Sequence, residues 1–229
     1  MPLILALETA TKLCSVAIAR DGVVLALREL ESEKHIHAEK VNIFIAEVME
    51  EAGLSLNELD AVAVGIGPGS YTGLRIGLSA AKGLCYALDK PLIGFSTLQV
   101  LVHSALRSGV EADAELWPMI NARRMEVFTQ PFAADGRTLG PVTPVILSEE
   151  WVAAAEGPRV VFGDGADKAA DLWKNGSTIR HLPGIRPTAA AAFVEVERRF
   201  AEGAFDDHAY LVPEYGKAAN VAQPKSTRT

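Results

Sequence analysis

The sequence predicts an α/β protein of two tandem lobes, each a mixed β-sheet flanked by helices. Two observations carry that prediction. The order strand–strand–strand–helix–strand–helix–strand–helix is read once over residues 3–107 and again over residues 117–201. Turn signals recur at matching places, with Asp21-Gly22 and Asp135-Gly136 between strands and Gly67-Pro-Gly69 and Gly163-Asp-Gly165 ahead of helices. Right-handed crossovers then put helices on the faces of each sheet. Sequence identity between the halves is negligible, so the repeat is one of element order alone.

Residues 3–8 read as a buried strand. Residues 14–20 and 23–30 read as two more, joined by Asp21-Gly22, where Gly accepts the positive φ of a tight turn. An amphipathic helix over residues 35–52 follows: Val41, Ile45, Val48, Met49 and Ala52 fall at helical spacing, and Gly53 stops it. Ser55-x-x-Glu58 is a capping box before an apolar strand at 61–66. The glycine-rich loop 67–73 enters a second helix with Leu74, Leu78, Ala81, Cys85 and Leu88 on one stripe. A strand at 92–95 and a third helix, capped by Ser96-x-x-Gln99, end the first half.

The second half gives strands at 117–121 and 125–132 joined at Ala122-Arg123-Arg124, then a strand at 142–147. A helix at 149–156, a strand at 159–162, a helix after Gly165, a strand at 178–182 and a helix at 188–201 follow. The division expected is an N-terminal lobe (1–109), a C-terminal lobe (110–215) and a loose polar tail (216–229). This order is that of a ribonuclease-H-like lobe, and two in tandem resemble the actin-like ATPase superfamily, which also holds sugar kinases and chaperone ATPases.

Composition excludes several classes. With 49% hydrophobic and 22% charged residues, the chain packs a core rather than remaining disordered. A net charge of −7 with no Lys/Arg run argues against a large nucleic-acid footprint. Cys14 and Cys85 sit in apolar patterns without a CxxC or Cys/His neighbour, so they read as reduced core residues. No stretch approaches a membrane span, and the first residues lack a basic flank, so a cytoplasmic protein is expected.

Glu8-Thr9-Ala-Thr11 lies between the first two strands, where actin-like proteins grip phosphates and Mg²⁺. Glu8 supplies an acid there, but Ala10 and Lys12 stand where permissive residues would help. Glu8, Thr9, Gly67 and Gly69, with Gly163 and Gly165 in the second half, therefore read as a degenerate nucleotide site. The loop at 67–73 has two readings. It is either an anion cradle at a helix N-terminus, or a tight turn whose Gly73 and Gly77 let the helix approach a neighbour closely. The second is favoured, since no Gly-Lys-Ser/Thr and no metal ligand accompanies the loop. His35-Ile-His37 reads as a solvated helix start rather than a metal site, because residues two apart diverge on a helix. No catalytic triad is found. Ile36, Ile43 and Phe44 widen the apolar surface of the first long helix, which fits either a second buried contact or a broad core-facing stripe.

The segments Ile4-Leu-Ala-Leu-Glu-Thr-Ala-Thr11, Gly67-Pro-Gly-Ser-Tyr-Thr-Gly-Leu-Arg-Ile-Gly77, Asn121-Ala-Arg-Arg-Met-Glu-Val-Phe128 and Leu211-Val-Pro-Glu-Tyr215 resemble the bacterial TsaB (YeaZ) family. The resemblance implies a non-catalytic scaffold subunit in the formation of threonylcarbamoyladenosine on tRNA, with no catalytic residue and no metal of its own. It implies the catalytic paralogue TsaD and the ATPase TsaE as partners, a homodimer as the alternative pairing, and only indirect contact with tRNA. Carried onto this sequence, the partner-binding residues would be Ile36, Val41, Phe44, Ile45, Val48, Arg75, Leu78 and Lys82. No cofactor is expected to bind tightly; ATP or ADP would bind weakly and mainly in the assembled complex. Glu8 and Asn121 stand where relatives have Asp, which suits a scaffold. The alternative is a nucleotide-dependent phosphotransferase of the sugar-kinase type anchored on Glu8-Thr9; a metallopeptidase is the poorest fit.

Overall fold

The computed structural model describes residues 1–32, 36–109, 114–175 and 178–216. One five-stranded sheet holds β1 (Leu3–Glu8), β2 (Leu13–Arg20), β3 (Val23–Glu31), β4 (Ala61–Gly67) and β5 (Leu92–Ser96), in the order β3-β2-β1-β4-β5. The second holds β6 (Glu115–Asn121), β7 (Glu126–Thr129), β8 (Thr143–Ile146), β9 (Arg159–Phe162) and β10 (Ile179–Leu182), in the order β10-β9-β6-β7-β8. Read from the opposite edge, the topology is the same. In each sheet the first three strands form an antiparallel meander, and the last two join in parallel. Helices α1 (His37–Ala52), α2 (Tyr71–Leu88) and α3 (Thr97–Arg107) serve the first half, and α4 (Glu149–Ala153), α5 (Asp164–Asp167) and α6 (Ala189–Ala201) the second. The fold is therefore the two-lobed ribonuclease-H-like, actin-like architecture.

Local chemistry sets these boundaries. Asp21 and Gly22 both take positive φ (52° and 72°), the combination a two-residue hairpin of type I′ needs. The side chains of Ser70, Ser96 and Thr188 accept N–H groups of Gly73, Gln99 and Ala191, capping α2, α3 and α6 for about 1 kcal/mol each. Gly53 ends α1 in the left-handed region, and Ser55 with Glu58 forms the capping box. The strand expected at 125–132 stops at Thr129, before Pro131, which has no N–H to give a ladder. The chain re-pairs beyond it, where Phe132 and Leu116 exchange backbone hydrogen bonds of 2.8 and 2.9 Å.

β1 is buried at every position because both faces of its sheet are covered. Leu5, Leu7, Val16, Ile18, Val62 and Val64 pack against α1 and α2. Ile4, Ala6, Ala17, Ala19, Ala61 and Ala63 face α6, which brings Ala189, Ala191, Ala192 and Phe193. Alanine on both sides lets helix and sheet lie close. The third helix of each half thus crosses over. α6 covers the first sheet, while Leu98, Leu101, Val102 and Ala105 of α3 pack with Leu116, Ile120, Phe128 and Phe162 of the second. This differs from the expectation that each half's helices cover its own sheet; an apolar stripe says that a helix packs, not on which sheet. A polar tie spans the halves as well. Arg186 pairs with Glu31 of β3 at 2.9 Å and with Asp167 of α5 at 2.6 Å, and Asp167 also meets His181 at 2.9 Å.

Cys14 and Cys85 are buried and unbridged, and burial pushes both thiols up to about 11. Among the described residues no helix is long and apolar enough to cross a membrane.

Candidate functional site

The β1–β2 connection is filled by protein. Glu8 and Thr9 are fully buried. The Glu8 carboxylate accepts the Ala10 N–H at 2.7 Å and the Thr97 hydroxyl at 3.1 Å, and it lies against Gly65 of β4. Burial raises its pKa to about 7. The Thr9 hydroxyl donates to the Gly73 carbonyl at 2.8 Å, and the Ala10 carbonyl accepts the Ser70 N–H at 2.7 Å. A Cβ on Gly69, Gly73 or Gly77 would come within 3.0 Å of Thr9 or Ala10 atoms. These glycines let the loop seat on the first turns of α2, and the Ser70 N–H is already bonded. Gly67, at φ 117°, lies against the Glu214 carbonyl. Of the two readings of this loop, close approach is the one the geometry matches.

The second half repeats the arrangement. Gly163, at φ 97°, and Gly165 pack on the Met119 carbonyl of β6. Asp164 between them accepts the Asn121 N–H at 3.1 Å; burial raises its pKa, partly offset by that bond, Arg186 and Lys168. Lys168 donates to the Asn121 side chain at 2.8 Å, and burial lowers its pKa. Asn121 thereby braces the β6–β7 turn. Arg123 and Arg124 take positive φ there and are exposed.

α1 and α2 lie side by side on the first sheet, and here the predicted contact residues divide. Val41, Phe44, Ile45, Val48 and Leu78 are buried in the chain's own core, with Ile45 only 5% exposed. Their spacing marks the sheet-facing stripe, and none of them is open at the surface. Ile36 and Lys82 are partly open and Arg75 is exposed. The apolar groups that do face outward are Ile43, Tyr71 and Tyr86, at 46%, 52% and 81% exposure. Between the helices runs a groove of ≈ 630 Å³ with Asn42, Tyr71, Arg75 and Ser79 along its walls and Val41 and Ile76 within. His37, expected to be solvated, is buried at the start of α1. His35 lies outside the described residues, and among those described no group of three metal-ligating side chains occurs.

Sequence reasoning missed one component. After α6 the chain returns as a strap along α2. The Asp206 N–H bonds the Leu92 carbonyl, Leu211 packs on the first core, and the Glu214 N–H donates to the Ile66 carbonyl at 2.7 Å. Lys82 reaches the Ala209 carbonyl at 3.4 Å, and Gly216 lies on Phe128 of the second half. Tyr215 pairs with Tyr71 at a ring separation of 4.8 Å. Arg75 lies 4.0 Å over the Tyr71 ring and donates its Nε–H to the Tyr215 hydroxyl at 2.9 Å. Leu211-Val-Pro-Glu-Tyr215 was the available signal, but its placement depends on tertiary contacts.

Comparison with known proteins gives consistent matches. The family model for TsaD, tRNA N6-adenosine threonylcarbamoyltransferase, matches residues 30–155. The tRNA threonylcarbamoyladenosine biosynthesis protein TsaB of Escherichia coli (strain K12) is 33% identical over 207 residues, covering 87% of this chain and 88% of that protein. TsaB of Bacillus subtilis (strain 168) is 28% identical over 229 residues, with 94% of each chain covered. The solved structure of YeaZ from Pseudomonas aeruginosa superposes with a TM-score of 0.78 at 26% identity, covering 94% of this chain and 100% of that one. With a closed β1–β2 loop, an open helix pair and these relatives, the chain belongs to the TsaB (YeaZ) family of tRNA threonylcarbamoyladenosine biosynthesis proteins.

Proposed function

We propose that this chain is a non-catalytic subunit for the formation of N6-threonylcarbamoyladenosine on tRNA, docking the catalytic paralogue TsaD on the outer face of α1 and α2. The observation that carries this reading is the contrast between two surfaces. The loop that would grip a nucleotide is packed shut by Gly69, Gly73 and Gly77, whereas Ile43 of α1 and Tyr71 and Tyr86 of α2 are exposed apolar groups, with Tyr71 lining the groove between the helices. The TsaD family model matches a span that contains both helices. Kinship between the paralogues favours pairing of like helices, and a second copy of this chain is the competing occupant of the same face. TsaE joins the assembly in this reading. With a net charge of −7 the chain leaves most tRNA phosphate contacts to its partners. ATP or ADP, if bound, is held weakly and in the complex.

Light scattering after size exclusion tests this, on the chain alone and mixed with the TsaD protein of the same organism. A mixed complex that Ile43→Asp and Tyr86→Asp abolish without changing the circular dichroism is expected. Failure to form it, with turnover or tight ATP binding by this chain alone, would overturn the reading. Ile45 and Leu78, which spacing alone recommends for such a test, are core residues whose replacement by Asp would unfold the lobe.

A further inference from the structure

Arg75 contrasts with four arginines that are held by acids. Arg28, Arg186, Arg198 and Arg199 each pair with a carboxylate. Arg75 is exposed, yet its interactions among the described residues are with Tyr71 and Tyr215 and not with an acid. The Tyr71 ring supports its guanidinium at 4.0 Å, and the Tyr215 hydroxyl fixes the Nε–H at 2.9 Å. A stacked guanidinium keeps N–H donors for a further acceptor and gives up little rotamer freedom when that acceptor arrives. It stands on the wall of the α1–α2 groove.

We infer that Tyr215 is a positioning residue that pre-orients Arg75 to receive a carboxylate side chain of the protein docking on α1 and α2. This rests on the docking reading above and adds to it a chemical requirement on the partner and a role for the strap. Tyr215 lies 140 residues beyond Arg75 and is carried by a segment anchored to both halves. The recognition geometry of α2 is thus set by the end of the chain, not by the helix alone.

Titration calorimetry with the TsaD protein of the same organism, at several salt concentrations, tests this as a double-mutant cycle. Arg75→Ala is expected to weaken binding more than tenfold and to flatten its salt dependence. Tyr215→Phe, which keeps the ring pair and removes the hydroxyl, is expected to weaken binding about fivefold in the native background and less than twofold beside Arg75→Ala. Equal losses in both backgrounds would show that Tyr215 acts on the strap rather than through Arg75, and would overturn the inference. So would unchanged affinity and salt dependence in Arg75→Ala while Ile43→Asp still abolishes the complex, an outcome that spares the docking reading. Absence of binding by the native chain would remove both.

Discussion

Replacing Gly73 by alanine tests whether the glycines of the 67–77 segment serve close packing. The new methyl would point at the Thr9 carbonyl, a backbone atom of a fully buried loop that cannot swing aside. Forcing the loop off α2 costs about 2 kcal/mol of overpacking. It also breaks the Thr9–Gly73 and Ser70–Ala10 hydrogen bonds, worth roughly 1 kcal/mol each. The helix gains about 1 kcal/mol from alanine over glycine, so the net loss is about 3 kcal/mol. For a chain of 229 residues that lowers Tm by roughly 6 to 12 °C. Gly83→Ala is the control: it lies in the same helix, and its Cβ would meet nothing within 4 Å. It should gain about 0.8 kcal/mol. Urea titration of the two variants against the native chain is the assay. If both shift the midpoint in the same direction, helix propensity governs this segment, and the close-packing argument fails.

Other consequences are open to measurement. Glu8 titrates at about 7 when folded and near 4.5 when unfolded, so its contribution is complete below the unfolded value and is lost as pH rises through about 7. The loss is on the order of 3 kcal/mol, and urea midpoints from pH 5 to pH 8 should fall for the native chain and flatten for Glu8→Gln. Ile43→Asp should change stability by less than about 0.5 kcal/mol, whereas Ile45→Asp should cost more than about 4 kcal/mol, as thermal melts would show. Arg186→Met leaves Asp167 with His181 and should cost about 2 kcal/mol, while Glu31→Gln, at a half-exposed site, should cost under about 1 kcal/mol. All three tryptophans, Trp117, Trp151 and Trp173, pack together in the second half. Because α3 and α6 are exchanged, tryptophan fluorescence and far-ultraviolet circular dichroism should report one unfolding transition; two separated midpoints would contradict that interlock.

Periodicity and turn chemistry made the architecture legible. Asp21-Gly22 marked a turn that needs positive φ twice, Ser55 and Glu58 marked a cap, and β1 showed its burial as an unbroken apolar run. What stayed hidden was decided by long-range packing. Ile43 and Ile45 look equivalent on paper, yet two positions on a helix point about 200° apart, and one reaches the sheet while the other reaches solvent. The residues proposed for partner contact were therefore partly those of the core. The β1–β2 loop looked like a worn nucleotide site; that Thr9 and Ala10 occupy the space its glycines create follows only once α2 is in place. The strap was legible as a motif and not as a location, since Tyr215 finds Tyr71 through contacts no local pattern encodes.

The helix exchange also bears on how the molecule is made. During synthesis the first sheet can lay α1 and α2 on one face as soon as residue 88 has emerged, but the alanine-lined face waits for α6, which ends at residue 201. For more than a hundred residues of elongation most of that face lacks its cover, with only Val100 of α3 packed there, and the outward stripe of α3 lacks the sheet it packs against. A nascent chain stalled near residue 110 would be an adhesive fragment rather than a finished lobe. The same wiring resists division of the gene product into two independently folding pieces, because each piece would carry the other's covering helix.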